Sequence, residues 1–382
     1  MKQIYLDHNA TTPVDPDVID VMAETARRLW ANPSSSHSPG LEAREELEQR
    51  RGAIARFIGA KPKEIIFTSG GTESDNLAVF GAARANQTKG RHLLVSSIEH
   101  HAVLESCKIL SEQGFDVSYL PVDRDGRVDP DDVKKGIRKD TVLISVMHAN
   151  NEVGTLQPIA EIGRFARESG ILFHTDAAQS VGKIPVHVDD LYVDLLTGSS
   201  HKIYGPKGVG FLYVRTGTSL SPLLLGGGQE RGLRSGTENL PGIAGLAKAL
   251  ETAKTGIQKE AVDLAKLRDS LWDALFHSLD GLHLNGHATS RLPGTLNLSI
   301  DGVKSSDLIP LLNQKGIFVS ASAACTTSSI RPSHVLSAMG VSLRHAAGTL
   351  RISLGRSTRE EDLPYIVNAL SSSVNQLRRS RT

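Results

Sequence analysis

Short apolar runs alternate with stretches of helical apolar spacing through the first two-thirds of the chain. Residues 64–68, Glu-Ile-Ile-Phe-Thr, read as a strand, followed by a glycine turn and a helix from about Thr72. Residues 93–96 form a second strand, with a helix through Leu104 to Leu110 behind it. Apolar runs at 142–146, 171–174 and 193–196 continue the series. Strands alternating with helices predict a mainly parallel sheet covered on both faces. From Gly242 to about Leu279 the helical spacing is nearly unbroken, long enough to connect two domains. Beyond it, 294–300 alternates as a half-buried strand should, 307–313 reads as a helix and 316–319 as a strand. The polar stretch 320–329 reads as a mobile loop. The expected division is a large domain over 13–260 and a small one from 1–12 with 261–382, carrying the loop at about 320–331.

Composition narrows the class. The chain has 382 residues, 39% hydrophobic and 22% charged, enough to bury a sizeable core. A net charge of +1 gives no electrostatic footprint for nucleic acid or a membrane surface. No run approaches the ~20 apolar residues that span a bilayer, and the first seven residues lack the apolar stretch of a signal peptide. Two cysteines, Cys107 and Cys325, make no disulfide framework, so a reducing, cytoplasmic setting is expected. The Arg-rich end from Arg378 reads as a solvated terminus.

Three motifs carry candidate chemistry. In Thr68-Ser69-Gly70-Gly71-Thr72-Glu73-Ser74 a strand runs through two glycines into a helix. Amides exposed at such a turn make an anion site, although a glycine turn with Thr72 as N-cap explains the same residues. In Phe173-His174-Thr175-Asp176-Ala177-Ala178-Gln179 an Asp follows an apolar strand, at the sheet edge where ligands of α/β proteins bind. A carboxylate there can keep a heterocyclic nitrogen protonated, as the pyridine of pyridoxal phosphate (PLP) requires, or simply cap the next helix. In Gly198-Ser199-Ser200-His201-Lys202, Lys202 lies between a buried-looking strand and a Gly-Pro turn. Desolvation there favours the neutral amine that forms a Schiff base, while Ser199 and His201 could hold a phosphate.

Taken together, phosphate cradle, pyridine carboxylate and Schiff-base lysine are the parts PLP chemistry demands. At this point the chain resembles the NifS/IscS-type cysteine desulfurases, a branch of the class V aminotransferases, along essentially its whole length. The residues that carry the resemblance are Tyr5 to Thr12, Ser199-Ser200-His201-Lys202, Leu233-Arg234-Ser235-Gly236-Thr237-Glu238-Asn239, Ala324-Cys325-Thr326 and Leu350 to Gly355. The resemblance implies a fold-type I PLP-dependent transferase: a large, mainly parallel seven-stranded sheet domain and a small α/β domain built from both termini. It implies that Lys202 is the PLP lysine and that Asp176 pairs with the pyridine nitrogen. Gln179 and Asn151 should contact the ring oxygen and the substrate side, and His100 should stack on the ring and assist proton transfer. Gly71, Thr72, Ser199 and His201 should bind phosphate, joined by Thr237 from a second subunit, and Arg351 and Asn32 should hold the substrate carboxylate. The residue types suit these roles, since an imidazole can stack on an aromatic ring and a guanidinium grips a carboxylate through two hydrogen bonds.

Cys325 sets the reaction class. It lies in Ser320-Ala321-Ser322-Ala323-Ala324-Cys325-Thr326-Thr327-Ser328-Ser329, small residues that cannot anchor a loop in a core, whereas Cys107 sits beside Ile109 and Leu110 as a packing residue. A thiol on such a loop can reach a substrate and present its product elsewhere. The expected reaction removes sulfur from L-cysteine, giving L-alanine and a Cys325 persulfide that passes to an acceptor such as an iron–sulfur scaffold protein. The enzyme should be a homodimer with no nucleic-acid or membrane partner. No resident metal is expected, although Cys325 could transiently ligate an iron–sulfur cluster. Relatives usually read Ser-Gly-Ser-Ala-Cys here, where this chain has Ala321-Ser322-Ala323-Ala324-Cys325, so loop freedom should be slightly reduced. The chain also lacks the extended tail that some scaffold-docking relatives carry, which bears on delivery to that acceptor. The rivals are a selenocysteine lyase, a cysteine-sulfinate lyase or an aminotransferase on the same fold, and a non-enzymatic binding protein, which a protein unable to take up PLP would favour.

Overall fold

The computed structural model describes residues 2–321 and 333–380. Its first part runs β1 Ile4–Tyr5, α1 Pro16–Arg28, α2 Ser38–Phe57, β2 Ile65–Thr68, α3 Gly71–Asn86, β3 His92–Ser96, α4 His101–Glu112 and β4 Asp116–Leu120. It continues through α5 Pro130–Gly136, β5 Thr141–Ser145, α6 Ile159–Glu168, β6 Leu172–Asp176, β7 Leu195–Ser199 and β8 Gly210–Val214 to the long helix α7 Leu240–Ser278. The remainder comprises β9 Leu282–Leu284, β10 Thr295–Ile300, α8 Ser305–Gln314, β11 Ile317–Phe318, β12 Ser320–Ala321, α9 His334–Ala338, α10 Leu343–Ala347, β13 Thr349–Ser353 and α11 Leu363–Arg379.

Seven strands make the large sheet, in the order β2-β8-β7-β6-β5-β3-β4, and only β8 runs against the others. This is the mainly parallel sheet that the alternation predicts. Every residue of β2, β3, β5, β7 and β8 is buried, the condition that writes a parallel sheet as continuous apolar runs. The edge strand β4 exposes Asp116 and Tyr119, and its mixed sequence hides it from an apolar-run reading. Helices cover both faces; α6, for instance, turns Ile159, Ile162, Gly163 and Ala166 inward and exposes Glu161, Arg164 and Arg167.

A second core gathers Ile4 and Leu6 with Leu271, Leu275, Leu298, Ile352 and Ile366 around the four-stranded sheet β12-β13-β10-β9. The strand read at 294–300 is β10, fully buried from Thr295 to Ile300 rather than half-buried, because it lies between β9 and β13 and its polar residues find partners inside. Asn285 Nδ2, for example, donates to Asn297 Oδ1 and Ser299 Oγ, each at 2.8 Å. The strand at 316–319 divides in two. Ile317–Phe318 pairs with β1, while Ser320–Ala321 pairs with β13. Ser320 and Ala321 are therefore strand, not loop; residues 322–332, with Cys325, lie outside the described residues. Arg378 is no merely solvated charge either, since its guanidinium donates to the carbonyls of Asp280 and Asp301. Among the described residues no helix is long and apolar enough to cross a membrane.

Candidate active site

The carboxyl ends of the parallel strands open into a cavity of about 330 Å³, lined by Asn9, Ala10, Gly71, Thr72, Asp75, His100, Met147, Asn151, Asp176, Ala178, Gln179, Ser199, His201, Lys202 and Arg351. Asp176 is the last residue of β6 and Ser199 the last of β7, which is how a doubly covered sheet delivers polar groups to one edge. Lys202 follows in a 3-10 turn, Ser200–Lys202, directly after β7.

Lys202 Nζ donates to the backbone carbonyls of Asn9 and Ala10 at 2.6 and 2.8 Å. Burial, then the positive charge of Arg351, pull its pKa down to about 8, against the attraction of Asp176 and Asp7. Its amine is thus more easily freed of its proton than that of a solvated lysine. Burial pushes the Asp176 carboxyl up, while His100, the Ala178 amide and Lys202 favour its charged form. Its Oδ1 accepts from Ala178 N–H at 2.9 Å, but a turn rather than a helix follows, so Asp176 is no helix cap. Asp75, on the first turns of α3, is buried beside it; burial and the repulsion of Asp176 hold Asp75 well above the ordinary carboxyl range.

The turn before α3 is shaped for an anion. Its N-cap is Gly70, not Thr72, and no side chain caps the helix. The α3 amides therefore face the cavity uncapped, at the positive end of the helix dipole. Gly70 adopts φ 152° and ψ −174°, a conformation open to glycine alone. The turn also presses against β8, where a Cβ on Gly210 would come 2.7 Å from Gly70 Cα. Glu73 locks the turn from outside, accepting from Ser69 N–H at 2.7 Å and from Arg234 Nε at 2.8 Å. His201 Nδ1 stands 3.1 Å from Thr11 Oγ1, and burial drives its pKa to about 4, so it enters the cavity as neutral imidazole.

His100 caps α4: its Nδ1 accepts from Ala102 N–H at 3.1 Å, which leaves the proton of the neutral ring on Nε2. The ring is open to solvent at the cavity mouth, yet the protein packed around it still pushes its pKa down, helped by Lys202 and His101. On the far wall, Arg351 of β13 pairs with Asp7 through Nη2–Oδ1 at 2.7 Å and donates from Nη1 to Asn151 O at 3.2 Å. Its Nε is buried without a partner among the described residues, an open donor for an incoming carboxylate. Gln179 Nε2 donates to Asn9 O at 2.9 Å, and its Oε1 accepts from Lys183 Nζ at 2.8 Å.

Of the sequence candidates, Gly71, Thr72, His100, Asn151, Asp176, Gln179, Ser199, His201, Lys202 and Arg351 meet in this one cavity. Asn32 and Thr237 do not line it within one chain; both are exposed, and Asn32 Oδ1 accepts from Ser34 N–H. Sequence reasoning missed Asp75, which stands one helical turn after Gly71 and so shares its face, and the pair Asn9 and Lys183. Asn9 lies within the Tyr5 to Thr12 motif but carries no chemistry of its own there, and Lys183, which also donates to Asn9 Oδ1 at 3.3 Å, left no signal apart from standing four residues after Gln179.

The chain is similar to known proteins along nearly its whole length. Residues 4–366 match the class-V aminotransferase family. The chain is 50% identical to a protein of Dictyoglomus turgidum named cysteine desulfurase IscS, over 99% of this chain and 96% of that one. A solved NifS-like protein superposes with a TM-score of 0.92 at 41% identity, covering 98% of this chain and all of the other. A structure described as SspA in complex with cysteine gives 0.79 at 39% identity, over 92% and 98% of the two chains.

Proposed function

The chain belongs to the class-V aminotransferase family, and we propose that it is a cysteine desulfurase that leaves the sulfur of L-cysteine as a persulfide on Cys325. The observation that carries the reading is the single cavity that holds a low-pKa lysine, a buried carboxyl, an uncapped helix start and an arginine with an open donor. Those groups fit PLP: α3 with Ser199 and His201 for its phosphate, Asp176 for its pyridine nitrogen, Gln179 for its ring oxygen and Lys202 for its aldehyde carbon. Bound there, PLP would supply the electron sink that lets a substrate α-proton leave.

The protein's own residues do the rest. Arg351, held by Asp7 and the Asn151 carbonyl, receives the substrate carboxylate beside Asn151, with Asn32 assigned to the same group. Lys202 Nζ takes the α-proton, and its low pKa suits an amine that must give up and take back a proton near neutrality. His100 offers the proton on Nε2 at the cavity mouth. Cys325 then attacks the substrate sulfur: an S–S bond forms, the carbon–sulfur bond breaks, and its electron pair stays on carbon, which a proton converts to alanine. The sum, cysteine plus thiol giving alanine plus persulfide, needs no outside oxidant or reductant. Ala321, four residues before Cys325 in sequence, pairs with Leu350 beside Arg351.

The persulfide passes to an acceptor thiol, such as that of an iron–sulfur scaffold protein. The working unit is a homodimer with Thr237 of one subunit at the phosphate of the other. Leu224 and Leu225, near the segment that carries Thr237, are large apolar residues exposed in the single chain. The division into domains at 13–260 and 1–12 with 261–382 belongs to the same proposal. Incubating PLP-loaded protein with L-cysteine should yield alanine and, with a thiol present, an equal amount of sulfide. Pyruvate or a transaminated product in place of alanine would overturn the reading.

A further inference from the structure

At the β9 edge of the four-stranded sheet, among residues that do not line the cavity, three metal-ligating side chains from three elements converge. His283 lies on the edge strand β9, Asp301 immediately after β10, and His345 in α10. His283 Nε2 stands 3.3 Å from Asp301 Oδ2, and His345 Nε2 stands 3.3 Å from Asp301 Oδ1. The two imidazoles are stacked, centroids 4.5 Å apart and planes inclined by 28°. One ligand atom from each of the three residues fits within 4.8 Å of the others.

We propose that His283, Asp301 and His345 form a binding site for a zinc-like divalent transition-metal ion, separate from the catalytic cavity. The spacing fits such an ion. Donors about 2.0–2.1 Å from a tetrahedral centre lie ~3.3 Å apart, the separation that each imidazole already keeps from the carboxylate. A second observation is independent of that spacing. Asp301 Oδ1 is buried and accepts no hydrogen bond among the described residues, although His345 Nε2 is near. The Asp301 side chain is 34% exposed as a whole, but this oxygen is shut off from water and from a donor, and a cation would satisfy it. The frame around it is rigid. Asp301 N–H donates to Gly281 O at 2.8 Å, and Arg378 donates to Asp301 O from Nε at 3.0 Å and Nη2 at 2.8 Å. A glycine is needed at Gly281, where φ is +66° and a Cβ would come 2.8 Å from Asp301 Cβ.

Two imidazoles and one carboxylate suit zinc, cobalt or nickel better than calcium or magnesium, which take oxygen ligands. His283 and His345 are 46% and 37% exposed, so a fourth position is open to water. Arg344, which also attracts the Asp301 carboxylate, and Arg378, held at the Asp301 carbonyl, are neighbouring positive charges that oppose a cation. The ion would tie β9 and the end of β10 to α10. That helix leads directly into β13, and Thr349 of β13 donates to the His345 carbonyl at 3.1 Å. No sequence motif marks the site, because the three residues are far apart along the chain.

The test uses untagged, PLP-loaded protein freed of metal with a chelator and titrated calorimetrically with zinc. One ion per chain should bind. His283→Ala and His345→Ala should each weaken binding about tenfold or more, with PLP content unchanged. X-ray absorption of the zinc-loaded parent, which depends on no variant, should show imidazole nitrogen and oxygen around the ion and no sulfur. Absence of zinc binding, binding indifferent to both substitutions, or a sulfur ligand from a cysteine would each overturn the proposal.

Discussion

Lys202 and Asp176 do opposite things with the same burial. Burial strips Lys202 of its proton more easily and makes Asp176 hold its own, and each group opposes the shift of the other. Because the Lys202 pKa is lowered to about 8, its neutral fraction rises with pH through that value. Capture of PLP by the apoprotein should therefore accelerate from pH 7 to 9 and then level off, measured by stopped-flow absorbance. A rate flat across that window would remove the lysine from the step. Borohydride should fix the cofactor to Lys202 and not to its neighbours Lys183 or Lys207, as peptide mapping would show. Asp176→Asn keeps the shape but loses the charge, so PLP should remain bound while alanine formation falls by about 10²-fold or more. Much of this was legible in sequence, because an Asp closing an apolar strand and a Lys beyond the next one must share the carboxyl edge of a parallel sheet. Asn9 and Lys183 were not, because they act through backbone carbonyls and through Gln179, contacts that no motif announces.

At the scale of elements, the apolar runs located β2, β3, β5, β6 and β7 and the helical spacing located α7, within a few residues, whereas the buried β8 was not read. The misses have physical causes. β4 is an edge strand with polar positions, and the run at 316–319 is shared between two sheets, a division that depends on pairing with β1 and β13. One ion pair holds several elements at once. Arg51 of α2 donates from Nη1 and Nη2 to Glu230 at 2.7 and 2.8 Å, both side chains are buried, and Glu230 Oε2 also accepts from Phe67 N–H of β2. Glu230→Gln leaves the buried Arg51 charge only the exposed Glu48 carboxylate, 2.9 Å from its Nε, and should destabilise the protein by up to roughly 3–5 kcal/mol in urea unfolding. A loss under ~1 kcal/mol, the range of exposed pairs, would mean the pair is not desolvated in solution.

For the whole molecule, the site must be completed across subunits if Thr237 serves the neighbour's phosphate. A heterodimer of Lys202→Ala and Thr237→Ala chains then contains one intact site, so mixing two impaired proteins should restore activity; no recovery would confine each site to one chain. The central claim is sulfur transfer through Cys325, and one substitution isolates it. Cys325→Ser leaves the lysine, the carboxylate and the phosphate cradle in place, so the variant should bind PLP and change its absorbance when L-cysteine arrives. With Cys107→Ser as a control that behaves like the parent, since Cys107 is buried and its thiol is pushed up to about 12, the decisive measurement is alanine release by Cys325→Ser. It should fall by about two or more powers of ten, with no persulfide on the protein; alanine formed at the parent rate would show that Cys325 is not the nucleophile.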